Sequence, residues 1–374
     1  MIPYGRQSID EDDIRAVAEV LRSDWLTTGP AVDAFEAAVA AFAGAAHGVA
    51  LSSGTAALHA MMHVAGIGPG DEVVVPAMTF AATANAVCYL GGTPVFADVD
   101  PRTLLLDPAD VERKLTPRTK AVVAVDYAGQ PCDYEALAAL CRQRGVALFA
   151  DACHALGATQ DGRPLGALPP AMTALSFHPV KHIATGEGGM VLTSDEQTAR
   201  LLRRFRNHGI DTDARQREAT GAWHYNMVEL GFNYRISDIQ CALGLSQLRR
   251  LPDFLARRRA IARFYAQALR GIPVAEPLAQ RPGAEHAWHL YVVRLAEGID
   301  RRAVFTALRE QGIGVNVHYI PVHLHPYYRE RFGHGPGLCP EAEAAYESIL
   351  TLPMHQGLTD EQAARVMEAL AHAL

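Results

Sequence analysis

The stretch Tyr134-Glu135-Ala136-Leu137-Ala138-Ala139-Leu140-Cys141-Arg142-Gln143-Arg144-Gly145-Val146-Ala147-Leu148-Phe149-Ala150-Asp151 reads as a helix followed by a short, wholly apolar strand that ends on a carboxylate. A strand with no polar alternation is covered on both faces, as happens when helices flank a parallel sheet. Outward from it the same alternation repeats. Apolar runs fall at Gly48–Leu51, Glu72–Val75, Pro94–Ala97, Ala121–Val125 and Ala171–Phe177, with Met190–Thr193 as a further strand. Helical segments such as Ala56–Val64 and Ala81–Leu90 separate them. The expected fold class is α/β, a large domain around a mostly parallel sheet.

Upstream, Asp10 caps one helix, and Gly29-Pro30 starts a second that Gly44 stops. Near Ser237 the texture changes. Ser237-Asp238-Ile239-Gln240 is a capping box that opens a long helix. Pro252 is expected to kink that helix before it resumes through Arg257-Arg258-Arg259, an Arg run that reads as a solvated face. Strands are expected at His289–Leu295 and Gly314–Tyr319, and helices near Arg301–Glu310, Glu341–Ile349 and Asp360–His372. The polar stretch Asp211–Gly221 reads as a loop. The division is a large α/β domain over 1–245 and a smaller C-terminal α+β domain over 246–374.

The 374 residues suit about two domains. With 49% hydrophobic and 20% charged residues the composition is that of a soluble globular protein. A net charge of −7 argues against a nucleic-acid binder. Residues 37–70 lack Asp, Glu, Lys and Arg, but Gly44, His47, Ser52, Ser53 and Gly54 interrupt them, so no membrane span is expected. The first ten residues carry no signal-peptide pattern, and six cysteines show no C-x-x-C pairing. The expected setting is the cytoplasm, with no metal site.

Lysine is almost absent: Lys114, Lys120 and Lys181 are the only three, set against a positive charge otherwise supplied by Arg. Lys181 sits in the glycine-rich Leu175-Ser176-Phe177-His178-Pro179-Val180-Lys181-His182-Ile183-Ala184-Thr185-Gly186-Glu187-Gly188-Gly189. A guanidinium cannot condense with an aldehyde near neutral pH, whereas an amine with a lowered pKa can. Asp151 stands where α/β ligands bind, and its plainer reading is a cap for the next turn. Ser52-Ser53-Gly54-Thr55, between strand and helix, suits an oxyanion held by backbone N–H groups, or a simple helix cap. Phe80, just past another strand, could stack on a flat heteroaromatic ring or belong to the core. Phosphate cradle, aromatic plate, partner for a pyridinium nitrogen and aldehyde-reactive amine together describe a site for pyridoxal 5′-phosphate.

At these residues the chain resembles the DegT/DnrJ/EryC1/StrS sugar aminotransferase family, whose fold is that of aspartate aminotransferase (fold type I of the pyridoxal-phosphate enzymes). The most specific stretches are Asp151-Ala152-Cys153-His154-Ala155-Leu156-Gly157, Ser176-Phe177-His178-Pro179-Val180-Lys181, Gly186-Glu187-Gly188-Gly189 and Gly231-Phe232-Asn233-Tyr234-Arg235-Ile236-Ser237-Asp238. Met227-Val228-Glu229-Leu230-Gly231 and Val317-His318-Tyr319 make it most similar to the branch that serves pseudaminic acid biosynthesis, with His182 standing where that branch tends to have Pro.

The resemblance implies that Lys181 holds the cofactor as an imine and shuttles protons. Asp151 would hold the pyridine nitrogen, and His154 would lie near the ring. Gly54, Thr55 and Ser176 would bind the phosphate. Asn233 would reach it from the neighbouring subunit of a homodimer. Tyr4, Asp24, Trp25, Leu26 and Thr27, with Val317, His318, Tyr319 and Ile320, would contact substrate; His318 also reads as a strand histidine facing solvent. The implied reaction moves the amino group of L-glutamate to C4 of a UDP-linked 4-keto-6-deoxy-N-acetylhexosamine. Three alternatives stand beside it: another 3- or 4-keto nucleotide sugar, a dehydratase on the same scaffold, and a non-catalytic cofactor-binding regulator. Lys181 argues against the dehydratase, whose relatives carry His there.

Overall fold

The computed structural model describes residues 1–374, the side chains of 214 and 216 excepted. Its centre is a seven-stranded sheet of β1 (His47–Leu51), β2 (Glu72–Pro76), β3 (Thr93–Ala97), β4 (Thr119–Val125), β5 (Ala147–Asp151), β6 (Met172–Ser176) and β7 (Gly189–Thr193), in the order β1-β7-β6-β5-β4-β2-β3. The pairs β2–β3, β2–β4, β4–β5 and β5–β6 are parallel. β7 runs antiparallel to both β6 and β1. Val73, Val74, Val75, Val122, Ala124, Ala150 and Val191 are almost completely buried, the double coverage that an unbroken apolar run requires. Because β7 is reversed, its first residue Gly189 pairs with both Leu51 and Ser176, the last residues of its neighbours. The loops after β1, β2, β5 and β6 therefore meet along one edge.

Local chemistry sets the element ends as expected. Asp10 and Asp13 form a capping box on Glu11–Leu21, and Pro30 begins the helix that Gly44, at φ +72°, ends. Ser237 and Gln240 exchange bonds at the start of Asp238–Leu269. That helix runs as one element through Pro252 rather than as two. A second sheet, β8 (Ala275–Pro277), β9 (Tyr291–Leu295) and β10 (Ile349–Leu352), is antiparallel. It packs its Val293 and Leu350 with Tyr265, Leu308, Val366 and Leu370 in a second apolar cluster that Ile2 joins.

Four expectations need correction. Residues 314–319 do not form a strand; the segment makes one antiparallel bridge, Asn316 to Thr351, at the edge of the second sheet, after Ile313 bridges Ile2. The helix near 341–349 ends at Ser348, because Ile349-Leu350-Thr351-Leu352 is a fully buried strand. The stretch 211–221 contains the short helix Ala214–Thr220. The Arg run is not a solvated face: Arg258 is completely buried.

Arg258 faces inward because its helix packs across the chain's later segments. One guanidinium nitrogen, Nη1, donates to the carbonyls of Trp288 (2.9 Å) and Met354 (3.0 Å), and Nη2 donates to Oε1 of Gln356 (3.0 Å). A planar fork with several donors ties two stretches of the chain, at 288 and 354–356, that no single smaller group could reach. Arg258→Met fills much of the volume but strands those acceptors, each at about 1–3 kcal/mol. The expected result is a thermal midpoint lower by roughly 5 °C or more, read by differential scanning calorimetry; an unchanged midpoint would remove the tie.

Candidate active site

The sheet edge opens into a cavity of 490 Å³ lined by Tyr4, Ser53, Gly54, Thr55, Phe80, Asp151, His154, Ser176, Lys181 and residues 316–319, among others. Each wall has a local cause. After β1 the chain turns into helix Gly54–Val64, where Ser53 is the cap and its hydroxyl accepts from the Ala56 N–H at 3.1 Å. The cap is real, and it leaves the backbone of Gly54 and Thr55 at the cavity wall. A Cβ on Gly54 would come within 3.0 Å of the Ser176 Cβ and 3.3 Å of the Cys153 Sγ. Glycine therefore lets the loop after β1 lie against β6 without crowding it, and it brings first-turn N–H groups beside the Ser176 hydroxyl. Unpaired N–H groups, small hydroxyls and a helix N-terminus make a donor set suited to a phosphate.

Asp151 ends β5 buried, and its carboxylate is oriented from two sides. Oδ2 accepts from the Thr83 hydroxyl at 2.7 Å, and Oδ1 from the Cys153 N–H at 3.2 Å. Since the Thr83 proton is committed to Asp151, Thr79, at 2.8 Å, donates to Thr83. This hydroxyl chain starts in the loop after β2 that also carries Phe80. Phe80 is 59% exposed, so it is a wall of the cavity and not a core residue.

On the floor lies Lys181, its Nζ 3.4 Å from Nε2 of His289. Burial holds its amine below the ordinary lysine range, while Cys153 and Asp151 pull the other way. His154 is buried, with Nε2 3.2 Å from the Tyr319 hydroxyl and Nδ1 without a hydrogen-bond partner. Burial, then the nearness of Lys181, His318 and His182, keeps it well below the ordinary histidine range, so it is neutral. Burial raises the Tyr319 phenol well above its usual value, so its proton stays on. A cavity with one lowered-pKa amine, one oriented carboxylate, an orphaned imidazole nitrogen and an oxyanion cradle fits pyridoxal 5′-phosphate in each part of its chemistry.

Beyond these groups the cavity is walled by Tyr4, Asn316, Val317, His318 and Tyr319. His318 does not face solvent. It is buried, with Nδ1 2.9 Å from the Thr351 hydroxyl and Nε2 3.3 Å from Asn316 Nδ2, and its ring lies 5.4 Å from that of Tyr4. The Tyr127 hydroxyl donates to its carbonyl. Burial, and secondarily Lys181, depresses its pKa to about 4.

The structure does not gather every expected residue here. Asp24, Trp25, Leu26 and Thr27 are exposed and pack on the start of the long helix, where Asp238 N–H donates to the Leu26 carbonyl. Asn233 is exposed and bridged to Asn207, and Ile320 is 41% exposed; none of these six lines the cavity of its own chain. Conversely, Thr79, Thr83, His289 and Asn316 belong to the site without having been singled out. Thr79 and Thr83 lay within the segment that carried Phe80, two hydroxyls four residues apart at a strand end. His289 and Asn316 had no such local signal.

The DegT/DnrJ/EryC1/StrS aminotransferase family matches residues 7–371. The chain belongs to this family. It is 43% identical to the spore coat polysaccharide biosynthesis protein SpsC of Bacillus subtilis (strain 168), over 99% of this chain and 96% of that one. Among solved structures it is similar to the putative sugar aminotransferase Spr1654 of Streptococcus pneumoniae in its PMP form, at 33% identity and a TM-score of 0.95, covering 100% and 99% of the two chains. It is also similar to Helicobacter pylori PseC, an aminotransferase of pseudaminic acid biosynthesis, at 30% identity and a TM-score of 0.92, covering 100% and 98%. As a member of the family the chain is a pyridoxal-phosphate-dependent aminotransferase of the α/β fold seen in these structures, of which Spr1654 is known in both PLP and PMP forms.

Proposed function

We propose that this aminotransferase moves the amino group of L-glutamate onto a nucleotide-linked keto sugar, with Lys181 as the residue that carries the cofactor. The observation that carries this reading is the Lys181 amine, held below its usual pKa on the floor of a cavity whose far wall, Tyr4, Asn316 and His318, is built of hydrogen-bonding side chains. The bound cofactor supplies an electron sink that makes the α-proton of the donor amino acid acidic.

The chain's own residues do the rest. Gly54, Thr55 and Ser176 would hold the phosphate, and Phe80 and His154 line the cavity where the ring would lie. Asp151, fixed by Thr83, supplies the anion that keeps a pyridine nitrogen protonated. Lys181, once displaced by the donor, takes the proton from the α-carbon. It later returns a proton to the sugar carbon, and a pKa near neutrality serves both steps.

The substrate read from the closer resemblance is UDP-2-acetamido-2,6-dideoxy-β-L-arabino-hex-4-ulose, giving UDP-4-amino-4,6-dideoxy-N-acetyl-β-L-altrosamine in pseudaminic acid biosynthesis; the likeness to PseC supports it. The higher identity to SpsC favours, as a second reading, another 3- or 4-keto nucleotide sugar destined for a polysaccharide. A panel of UDP- and dTDP-linked 3- and 4-ketosugars, assayed for 2-oxoglutarate release from glutamate, separates the two. Turnover confined to the N-acetylated UDP-4-keto sugar is expected, and turnover on none would end both readings.

The working unit is a cytoplasmic homodimer, with residues 1–245 as its cofactor domain and 246–374 as the smaller one. Trp223, Met227 and Leu230 are 85%, 64% and 74% exposed in one segment, an apolar strip of the kind that marks an interface. The exposed Trp25, Leu26 and Asn233 would then complete the partner's cavity. No helix among the described residues is long and apolar enough to cross a membrane.

A further inference from the structure

His289 contributes to none of the sequence features that led to the function, yet the fold aims it at the reacting amine. Trp288 before it has φ +54°, an outlying conformation for a bulky aromatic residue. Its surroundings hold it there: its N–H donates to Nδ1 of His286 at 2.8 Å, its ring stacks on that imidazole at 4.0 Å, and its carbonyl accepts from buried Arg258. On the other side the Ala287 and Leu290 N–H groups donate to the carbonyls of Gly129 and Ala128 at 2.8 and 3.1 Å. Gly129, at φ +109°, allows this approach, since a Cβ there would stand 3.0 Å from the His289 nitrogen. With its backbone fixed on both sides, the imidazole has one polar contact, Nε2 to Lys181 Nζ at 3.4 Å, while Nδ1 is buried without a partner.

We propose that His289 is a positioning residue: a neutral imidazole whose Nε2 accepts a hydrogen bond from Lys181 Nζ whenever that amine is not joined to the cofactor, steadying its protonated form. This rests on Lys181 being the residue that carries the cofactor. An ammonium has three donors and no acceptor, so the imidazole must offer a lone pair. Burial, with Lys181, His154, His182 and Arg258 close by, holds His289 well below the ordinary histidine range and leaves that lone pair free. Asp151 and Cys153 face the amine from the β5 side, and His318, also neutral, from the segment 314–319. His289 is the group at hydrogen-bonding distance from Nζ.

The test uses cofactor-free protein mixed with pyridoxal phosphate, whose capture joins Nζ to the aldehyde carbon with loss of water and needs the neutral amine. The pH profile of the capture rate reads the pKa of Lys181. His289→Leu, lacking the acceptor, is expected to move the profile toward acid by about one pH unit. His289→Gln, whose amide oxygen reaches the same place, should stay near wild type. If the Leu variant does not fold, His289→Asn replaces it; its oxygen stops short of Nζ, and the same acid shift is expected. A profile that coincides with wild type, or moves toward alkali, overturns the proposal. Borohydride reduction and peptide mapping of the same samples separate the two claims. An adduct on Lys181 with an unmoved profile refutes the role of His289 alone, and an adduct on another residue removes both.

Discussion

In the Lys181→Ala variant amino transfer is expected to fall by on the order of 10⁴-fold, while the protein folds and sediments as the wild type does. The size of the effect follows from the roles proposed for one side chain: to hold the cofactor, leave it, remove a proton and return one. No other amine stands in the cavity to take over. Lys114 and Lys120 lie outside it, and burial holds His154 and His289 well below the ordinary histidine range, so each is a poor base and neither can form an imine. Added small amines should restore part of the rate, because they can enter a 490 Å³ cavity and accept the proton that Lys181 would have taken. Turnover within a few-fold of wild type would defeat the mechanism.

Asp151→Asn is the second large effect. The amide keeps the shape: with its oxygen on the Cys153 N–H, its NH2 can donate to the Thr83 hydroxyl, which turns its own proton to Thr79, so the strand end should be little disturbed while the charge is lost. A buried cation left without its anion costs about 3–5 kcal/mol, which corresponds to roughly 10²- to 10⁴-fold in rate. The loss should appear in turnover at saturating glutamate, with the cofactor still retained on gel filtration through the phosphate cradle. Thr83→Val offers the milder comparison, since it frees the carboxylate without neutralising it. Near-normal turnover in Asp151→Asn would mean that the carboxylate serves only as a cap for the following turn.

Much of this was readable in the chain because an α/β sheet writes its chemistry at strand ends. Val146–Asp151 announced a buried strand with a carboxylate at its end, and Ser52–Thr55 and Phe80 followed two others. One edge collects all three, and Lys181 follows a fourth strand. Residues whose role depends on distant packing were not readable. Arg258 sits in a triple Arg run with no local sign that one of the three turns inward; only the meeting of 288, 354 and 356 on one helix face buries it. His289 read as the start of a strand, whereas the fold uses it two residues before β9 begins. Residues 314–319 have strand composition, but the chain there makes only one bridge to the edge strand Ile349–Leu352, a strand that the sequence reading did not assign beyond the helix expected to end at Ile349. Asp24–Thr27 and Asn233 are exposed on a single chain, and a role for them requires a second copy.

The account stands on one covalent contact, and the direct measurement is borohydride reduction of the cofactor-loaded protein followed by peptide mass spectrometry. The account predicts a single phosphopyridoxyl group on the peptide containing Lys181. A label on Lys114, Lys120 or the amino terminus, or no label on a protein that retains the cofactor, would contradict it.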